Sequence, residues 1–384
     1  MVVQSDMGKL TADWNDIDTV VLYGAGTVSR ICEKLFEKVE IKIECVIDQD
    51  INKQGKEWNG VPILSYEDAK ERIKGKKIVV MAAHTAFNDI SEFLGQQGLV
   101  EFKDFCRAGQ FICEWFWNTK KMNCVYHVDM TVTTRCTLNC KHCNMFIPYY
   151  KERFNYSFEE LKRNIDLFFE RIDYVAYFGL IGGEPMMNPV LKDVIIYLEE
   201  NYKDKYGKIS YASNGSVLPS NELLEVMKKY DIHIVVSDYS KAIPYNDKIR
   251  QLEKKFQEYD INYDIKPSLV WCDFGFPEYP VKRNKQELEE HLACCRPEWN
   301  GLNDGKFYYC NVSWSAEKSG RFKLNPKDYI VLEDVNPNNK EQCHLLTELS
   351  RGTSSFCRVC GGCGKDNTNY VPTGIQMERN INEL

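Results

Sequence analysis

The chain contains no run of about 18 apolar residues, so it offers no stretch that reads as a membrane span. The opening residues, Met1 to Leu10, have no basic segment leading into an apolar one and do not read as a secretory signal. Internal repeats and low-complexity tracts are missing as well. So is an excess of positive charge. With 49 Lys and Arg against 56 Asp and Glu, the formal net charge is −7, which argues against a broad nucleic-acid-binding face. What remains is ordinary globular composition, 43% hydrophobic and 27% charged, in 384 residues, a length suited to two or three domains. Cysteine is plentiful, at sixteen residues. Without a secretion pattern, the expected setting is the reducing cytoplasm. Thiols there are metal ligands, reactive groups or core residues more often than disulfides. Aromatic residues, at 12%, suit a sugar or nucleotide pocket and plain core packing equally.

The most informative run is Cys136-Thr-Leu-Asn-Cys140-Lys-His-Cys143, a Cys-x3-Cys-x2-Cys spacing. It follows the strand-like stretch Val125 to Thr134, and Gly182-Gly183-Glu184-Pro185 follows the next strong strand. Three thiolates on one tight loop can hold three irons of a cubane [4Fe–4S] cluster and leave the fourth iron open to a small molecule. Ferredoxin runs instead have two-residue gaps and a fourth cysteine followed by proline. The alternative, a zinc knuckle, calls for four ligands, commonly in paired Cys-x2-Cys units.

Hydrophobic patterning divides the chain into residues 1–105, 106–124, 125–271 and 272–384. The first part alternates strands (Thr19 to Tyr23, Ile41 to Ile47, Lys77 to Ala82) with helical stretches, which implies a parallel sheet covered on both faces. Residues 106–124 read as a connecting helix. The third part resumes the alternation, with strands expected at 125–134, 174–181, 208–213, 232–237 and 262–270 and helices between them. In open sheets and barrels of this kind, ligands sit at the carboxyl ends of the strands. The cysteine loop, the Gly-Gly-Glu-Pro turn, Ser213-Asn214-Gly215 and Ser237-Asp238 all fall at such ends. Past residue 272 the pattern loosens and cysteines recur in short irregular segments, a region that would need a metal to hold it.

The cysteine loop with Gly-Gly-Glu-Pro downstream resembles the radical S-adenosylmethionine (SAM) superfamily, over roughly residues 125–365. The resemblance implies a partial (β/α)6 barrel in an α/β chain, with Cys136, Cys140 and Cys143 holding the cluster that binds SAM. By position match, Gly182, Gly183 and Glu184 would receive the SAM amino group. Ser213 and Asn214 would lie near the cofactor, Ser237 would meet the ribose, and His142 would lie beside the adenine. It also implies a flavodoxin, ferredoxin or reductase as electron donor.

Further on, Cys295-x9-Gly305-x4-Cys310 is similar to the opening of the SPASM and twitch extensions of radical SAM enzymes, which carry auxiliary Fe–S clusters. A full SPASM domain continues Cys-x2-Cys-x5-Cys with one more cysteine later; here Cys357-x2-Cys360-x2-Cys363 ends the series. The expectation is one auxiliary [4Fe–4S] cluster on Cys295, Cys310, Cys357 and Cys360. Cys294, Cys363, Cys343 and Cys272 are substitutes, and a zinc site is the competing reading. Cys32, Cys45, Cys106, Cys113 and Cys124 are expected in the core.

The N-terminal Gly24-x-Gly26-x-x-Ser29 turn, with Asp48 ending the next strand, is a partial dinucleotide fingerprint. This segment resembles the Rossmann-like domains of sugar acyltransferases that bind nucleotide sugars; a packing or dimerisation domain is the alternative. The expected function is radical oxidation of an alcohol on a sugar, aminocyclitol or nucleotide-sugar substrate. The alternatives are a peptide-modifying enzyme, a sugar epimerase using Cys272 as hydrogen donor, and a non-catalytic Fe–S or zinc scaffold. Neither a nucleic acid nor a membrane is an expected partner, and the oligomeric state cannot be read.

Overall fold

The computed structural model describes residues 8–295 and 298–378. They form two compact units, one on the residues up to Tyr126 with Ile172–Ala176, the other on His127–Arg171 and the residues from Tyr177 onward.

The first unit alternates strand and helix: β1 (Thr19–Tyr23), α1 (Thr27–Val39), β2 (Lys42–Ile47), β3 (Glu57–Trp58), β4 (Val61–Leu64), α2 (Tyr66–Ile73), β5 (Lys77–Val80), α3 (His84–Gln96) and β6 (Phe105–Arg107). The sheet order is β3-β4-β2-β1-β5-β6. All pairs are parallel except the β3–β4 edge. The continuous apolar runs of β1 and β5 are buried on both faces, as a parallel strand requires. Val21, Tyr23, Ile47, Ile78, Val80 and Phe105 pack against Phe87, Ile90 and Leu94. Where a single connecting helix is expected, α4 (Ala108–Gln110) and α5 (Phe116–Lys120) flank a π-helical turn, Phe111–Trp115. Phe111 and Trp115 stack there with ring centroids 4.9 Å apart.

The second unit holds the larger series, apart from the first three residues of β7 and of β8: β7 (Cys124–Thr133), α6 (Phe158–Phe169), β8 (Tyr174–Gly182), α7 (Leu191–Asn201), β9 (Tyr206–Ser213), α8 (Asn221–Lys229), β10 (His233–Asp238), α9 (Asn246–Glu258) and β11 (Tyr263–Pro267). Two of these helices, α6 and α8, start at side-chain caps. Ser157 and Glu160 form a reciprocal capping box on α6, and Ser220 accepts from the Leu223 N–H on α8. The elements after β11 are β12 (Val270–Cys272), α10 (Lys285–Cys294), β13 (Asn300–Asn303), β14 (Lys306–Tyr308), α11 (Asn311–Lys318), β15 (Tyr329–Val331), α12 (Lys340–Ser350) and β16 (Tyr370–Pro372).

The large sheet runs β11-β10-β9-β8-β7-β13-β14-β15, so β7 to β11 lie side by side in chain order. β13 pairs parallel with the free side of β7. The cysteine-rich segment, which patterning sets apart as a C-terminal domain, therefore contributes three strands to the same sheet. The β13–β14 hairpin turns at Asp304 and Gly305, with φ of 55° and 70°. This is the structural reason for the glycine in Cys295-x9-Gly305-x4-Cys310: the two cysteines bracket a hairpin whose two turn residues are both left-handed, a backbone that glycine takes without strain. No helix among the described residues is long and apolar enough to cross a membrane.

A Cβ on Gly305 would also stand 3.0 Å from Arg163 Nη1. Gly305→Ala is expected to lower the unfolding free energy by about 1–2 kcal/mol. Gly305→Asn should cost less, since Asn tolerates left-handed backbone. Urea denaturation checks both.

Candidate functional site

Strand β7 carries the site. Val128, Met130 and Val132 are fully buried, while His127, Asp129, Thr131 and Thr133 alternate with them on the other face. Beyond its end, two backbone bonds tie the strand to the glycine turn. Gly183 N–H donates to Thr133 O at 2.9 Å and Glu184 N–H to Arg135 O at 2.8 Å. A Cβ on Gly182 would lie 2.2 Å from Thr133 O, and one on Gly183 2.2 Å from Arg135 O. Both glycines are thus required by close backbone approach, with no left-handed conformation involved.

Cys136, Cys140 and Cys143 line one cavity of about 540 Å³. Burial pushes the Cys136 thiol up to about 12, with the neighbouring Cys143 adding to it, and the Cys140 thiol up to about 11. Burial also raises Cys143, against backbone donors at Met145, Phe146 and Ile147. Three thiols raised in this way on one loop give up their protons when a cation joins them, so the donor set fits a metal centre. Two of the sulfurs also receive side-chain amides. Asn214 Nδ2 lies 3.3 Å from Cys136 Sγ and Gln376 Nε2 3.2 Å from Cys140 Sγ.

The remaining rim residues divide into two groups. Gly182, Gly183, Ser213, Asn214, Ser237 and His142 all line the cavity. His142 Nδ1 lies 3.2 Å from Asp273 Oδ2. Glu184 is absent from the wall. It is fully buried, and its carboxylate accepts from Ser213 Oγ at 3.0 Å, Asn214 N–H at 2.8 Å and Met186 N–H at 3.3 Å. Its side chain therefore joins the ends of β8 and β9, leaving the backbone of Gly182 and Gly183 on the cavity. Cys272 also lines the cavity, half-buried, with Sγ 3.6 Å from Gly362 O; burial raises its thiol.

A second cavity gathers five cysteines: Cys295, Cys310, Cys357, Cys360 and Cys363. Burial pushes Cys310 up to about 12 and Cys357 up to about 11. Cys295 is held well below the usual thiol range by Cys363 and, against burial, by His291. His291 Nδ1 in turn lies 2.6 Å from Asp366 Oδ2. Of the substitutes, Cys294 turns to Asp366 Oδ1 at 3.0 Å and Cys343 to Asn336 O at 3.5 Å, while Cys363 stays in the set. Cys363 lines both cavities. Five thiols on one cavity give more donors than a four-ligand site needs. Cys32, Cys45, Cys106, Cys113 and Cys124 are all buried.

Sequence patterning misses three contributors, the first of them a pair of residues. His127 Nε2 and Asp129 Oδ1 are 2.9 Å apart on the cavity wall. Gly179 makes room for them, since a Cβ there would fall 2.0 Å from Asp129 Oδ1. Burial lowers the His127 pKa, but the charge and hydrogen bond of Asp129 outweigh it and leave the imidazole above its usual value. The uninterrupted polar alternation 127/129/131/133 is the signal that could have found this pair. Arg283 holds the Cys357–Cys360 turn by donating to the carbonyls of Cys357 at 3.0 Å, Gly361 at 3.2 Å and Cys360. Gln376 is the third.

In the first unit, Asp48 accepts from Ala25 N–H at 2.8 Å, Asp50 N–H at 2.9 Å and Lys53 Nζ at 3.0 Å. A Cβ on Gly24 would stand 2.7 Å from Met81 O, whereas nothing lies within 4 Å of one on Gly26.

Residues 130–251 match the family described as the Radical SAM superfamily. The match runs from within β7 into α9. Radical SAM proteins use a [4Fe–4S] cluster and SAM as cofactors. Among curated relatives, the antilisterial bacteriocin subtilosin biosynthesis protein AlbA of Bacillus subtilis (strain 168) is 28% identical over 111 residues, 29% of this chain. The match takes in 23% of AlbA's length, well under two thirds. Among solved structures, Streptococcus suis SuiB bound to S-adenosylmethionine is 20% identical with a TM-score of 0.28, covering 37% of this chain and 32% of SuiB. Native anSMEcpe with bound AdoMet is 14% identical with a TM-score of 0.36, covering 48% of this chain and 74% of that one.

Burial raises the Glu184 carboxyl from 4.5 to about 7, against the hydrogen bonds from Asn214, Ser213 and Met186. A carboxyl raised in the folded state contributes its full stability below the unfolded value and loses it as pH climbs through the folded one. Relative to wild type, Glu184→Gln is therefore expected to gain thermal stability steadily between pH about 4.5 and about 7 and to level off above, whatever its constant offset. Parallel melting curves across that range check the slope.

Proposed function

We propose that this protein is a radical SAM oxidoreductase that removes hydrogen from a carbinol carbon of a sugar-type substrate, an aminocyclitol or a nucleotide-linked sugar. The loop cysteines Cys136, Cys140 and Cys143 would hold the [4Fe–4S] cluster, and the backbone of Gly182 and Gly183, with Ser237 and His142, would hold SAM. When bound, these cofactors supply a 5′-deoxyadenosyl radical that takes one hydrogen atom from the substrate. Turning an alcohol into a carbonyl also releases one proton and one electron. His127, its basicity supported by Asp129, stands on the cavity wall to hold the hydroxyl and take the proton. The single observation that carries the oxidase reading is Cys363, which belongs to the walls of both cavities and so borders the substrate space with the auxiliary cysteines. Cys295, Cys310, Cys357 and Cys360 would hold an auxiliary cluster there, which would supply a one-electron acceptor.

A second reading, a peptide substrate, is favoured by the match to AlbA, a protein named for bacteriocin biosynthesis. Carbon-deuterated nucleotide sugars, offered with SAM and a reductant to the reconstituted full chain, separate the two. The expected result is deuterium in 5′-deoxyadenosine together with a carbonyl product. Label arriving from a deuterated peptide and from no sugar selects the second reading, and absence of 5′-deoxyadenosine under every condition removes both.

Iron content tests the auxiliary ligands. Replacing Cys357 and Cys360 together by Ala should lower bound iron from about eight to about four per chain. Full retention would remove them from the ligand set.

A further inference from the structure

Beyond Cys363 the chain returns to the cysteine loop. Strand β16 pairs antiparallel with β12, and Thr373 fastens the next turn, its N–H on Leu269 O at 3.1 Å and its Oγ1 on Ser268 O at 2.6 Å. Gly374 turns the backbone with φ 75°. Residues 375–377 then run antiparallel beside 139–141 as a strap. Lys141 N–H donates to Ile375 O and Met377 N–H to Asn139 O, both at 2.8 Å, and Cys140 is bridged to Gln376. Asn139 Nδ2 adds a bond to Met377 O at 3.0 Å.

Gln376 lies at the middle of this strap. Its Oε1 accepts from Asn139 N–H at 2.7 Å, and its Nε2 donates to Gly374 O at 2.9 Å and reaches Cys140 Sγ at 3.2 Å. The reverse orientation would set the NH2 against the Asn139 N–H and the oxygen against both Gly374 O and the sulfur. The backbone on either side thus fixes which end of the amide faces the sulfur. A hydrogen bond to a ligand sulfur withdraws electron density from the metal and makes reduction easier.

We propose that Gln376 is a positioning residue for the radical SAM cluster: the strap aims its amide at the Cys140 thiolate, fixing that ligand and raising the reduction potential of the cluster. Asn214 is the corresponding donor on Cys136, so two ligands of the loop each receive one amide, from the end of β9 and from the strap. The proposal rests on the reading that Cys136, Cys140 and Cys143 hold the cluster.

The test is a redox titration of the anaerobically reconstituted full chain, following by electron paramagnetic resonance the cluster signal that changes when SAM is added. Gln376→Leu removes both amide functions. Gln376→Glu keeps an acceptor for Asn139 and removes the donor, so the backbone pairing of the strap survives if the first variant loses it. Both variants are expected to show a more negative midpoint. The reduced-to-oxidised ratio at fixed potential should fall about tenfold, which for one electron is about 59 mV. Gln376→Glu should shift at least as far, since it adds negative charge. A SAM-responsive cluster with wild-type midpoint in both variants overturns the proposal and leaves the cysteine reading standing. Absence of any SAM-responsive signal in wild type overturns the cysteine reading, and the proposal with it.

Discussion

Three thiols packed on one loop in a largely buried setting are held protonated by their surroundings and by one another. Burial opposes a negative charge on each of Cys136, Cys140 and Cys143, and Cys143 adds to the opposition at the other two. A cation removes the opposition, and the rest of the unit is arranged so that the sulfurs wait in one place. The backbone bonds from Gly183 and Glu184 fix the start of the loop, and the buried carboxylate of Glu184 fixes the two strand ends beneath it. That carboxylate is itself an uphill arrangement, with three donors offsetting part of the cost of its burial. The Gly-Gly-Glu segment therefore acts through two backbones and one buried side chain.

The polar face of β7 extends the same arrangement away from the cysteines. Strand β7 has ten residues and spans roughly 30 Å at about 3.3 Å per residue, so one strand can carry both a loop for metal and a distant polar pair. Asp129 fits only because position 179 has no Cβ, which couples the choice of residue on β8 to the chemistry on β7. The β13–β14 hairpin then pairs with the outer side of β7, and its bracketing cysteines come with it. The result is two cysteine-lined cavities that share Cys363 in their walls.

Much of this is legible in the sequence, and for a physical reason. Strands β7 to β11 carry their apolar residues in short runs or in alternation, with helical spacing between them, and they occur within a few residues of their expected limits. The rim motifs share a cavity because turns at strand ends are fixed by local chemistry, glycine above all. The roles of single residues are less legible. Position alone makes Glu184 a cofactor contact, yet its side chain lies under the rim, because sequence does not say which way a side chain leaves a turn. Arg283 and Gln376 act across many residues of separation, through carbonyls and one sulfur, and contacts of that kind leave no periodic trace. Five cysteines stand where a cluster asks for four, since spacing alone cannot rank Cys360 against Cys363.

The same distinction applies to the N-terminal fingerprint. A dinucleotide site asks its first glycine for a tight turn, its second for close approach of a phosphate, and its acidic residue for a ribose hydroxyl. Here Gly24 is required by the Met81 carbonyl, which a Cβ would strike. Asp48 is engaged by Ala25, Asp50 and Lys53, so its carboxylate already closes the turn that a ribose would otherwise meet. Ser29 adds a bond from its hydroxyl back to Gly24 O. Only Gly26, with open space where a Cβ would stand, has no partner within the fold that demands a glycine. Three of the four fingerprint positions, Gly24, Ser29 and Asp48, are thus accounted for by strand packing and turn closure alone. For a nucleotide to use this turn, the Asp48–Lys53 pair would have to open. The cost of opening a partly buried, hydrogen-bonded ion pair would then count against affinity.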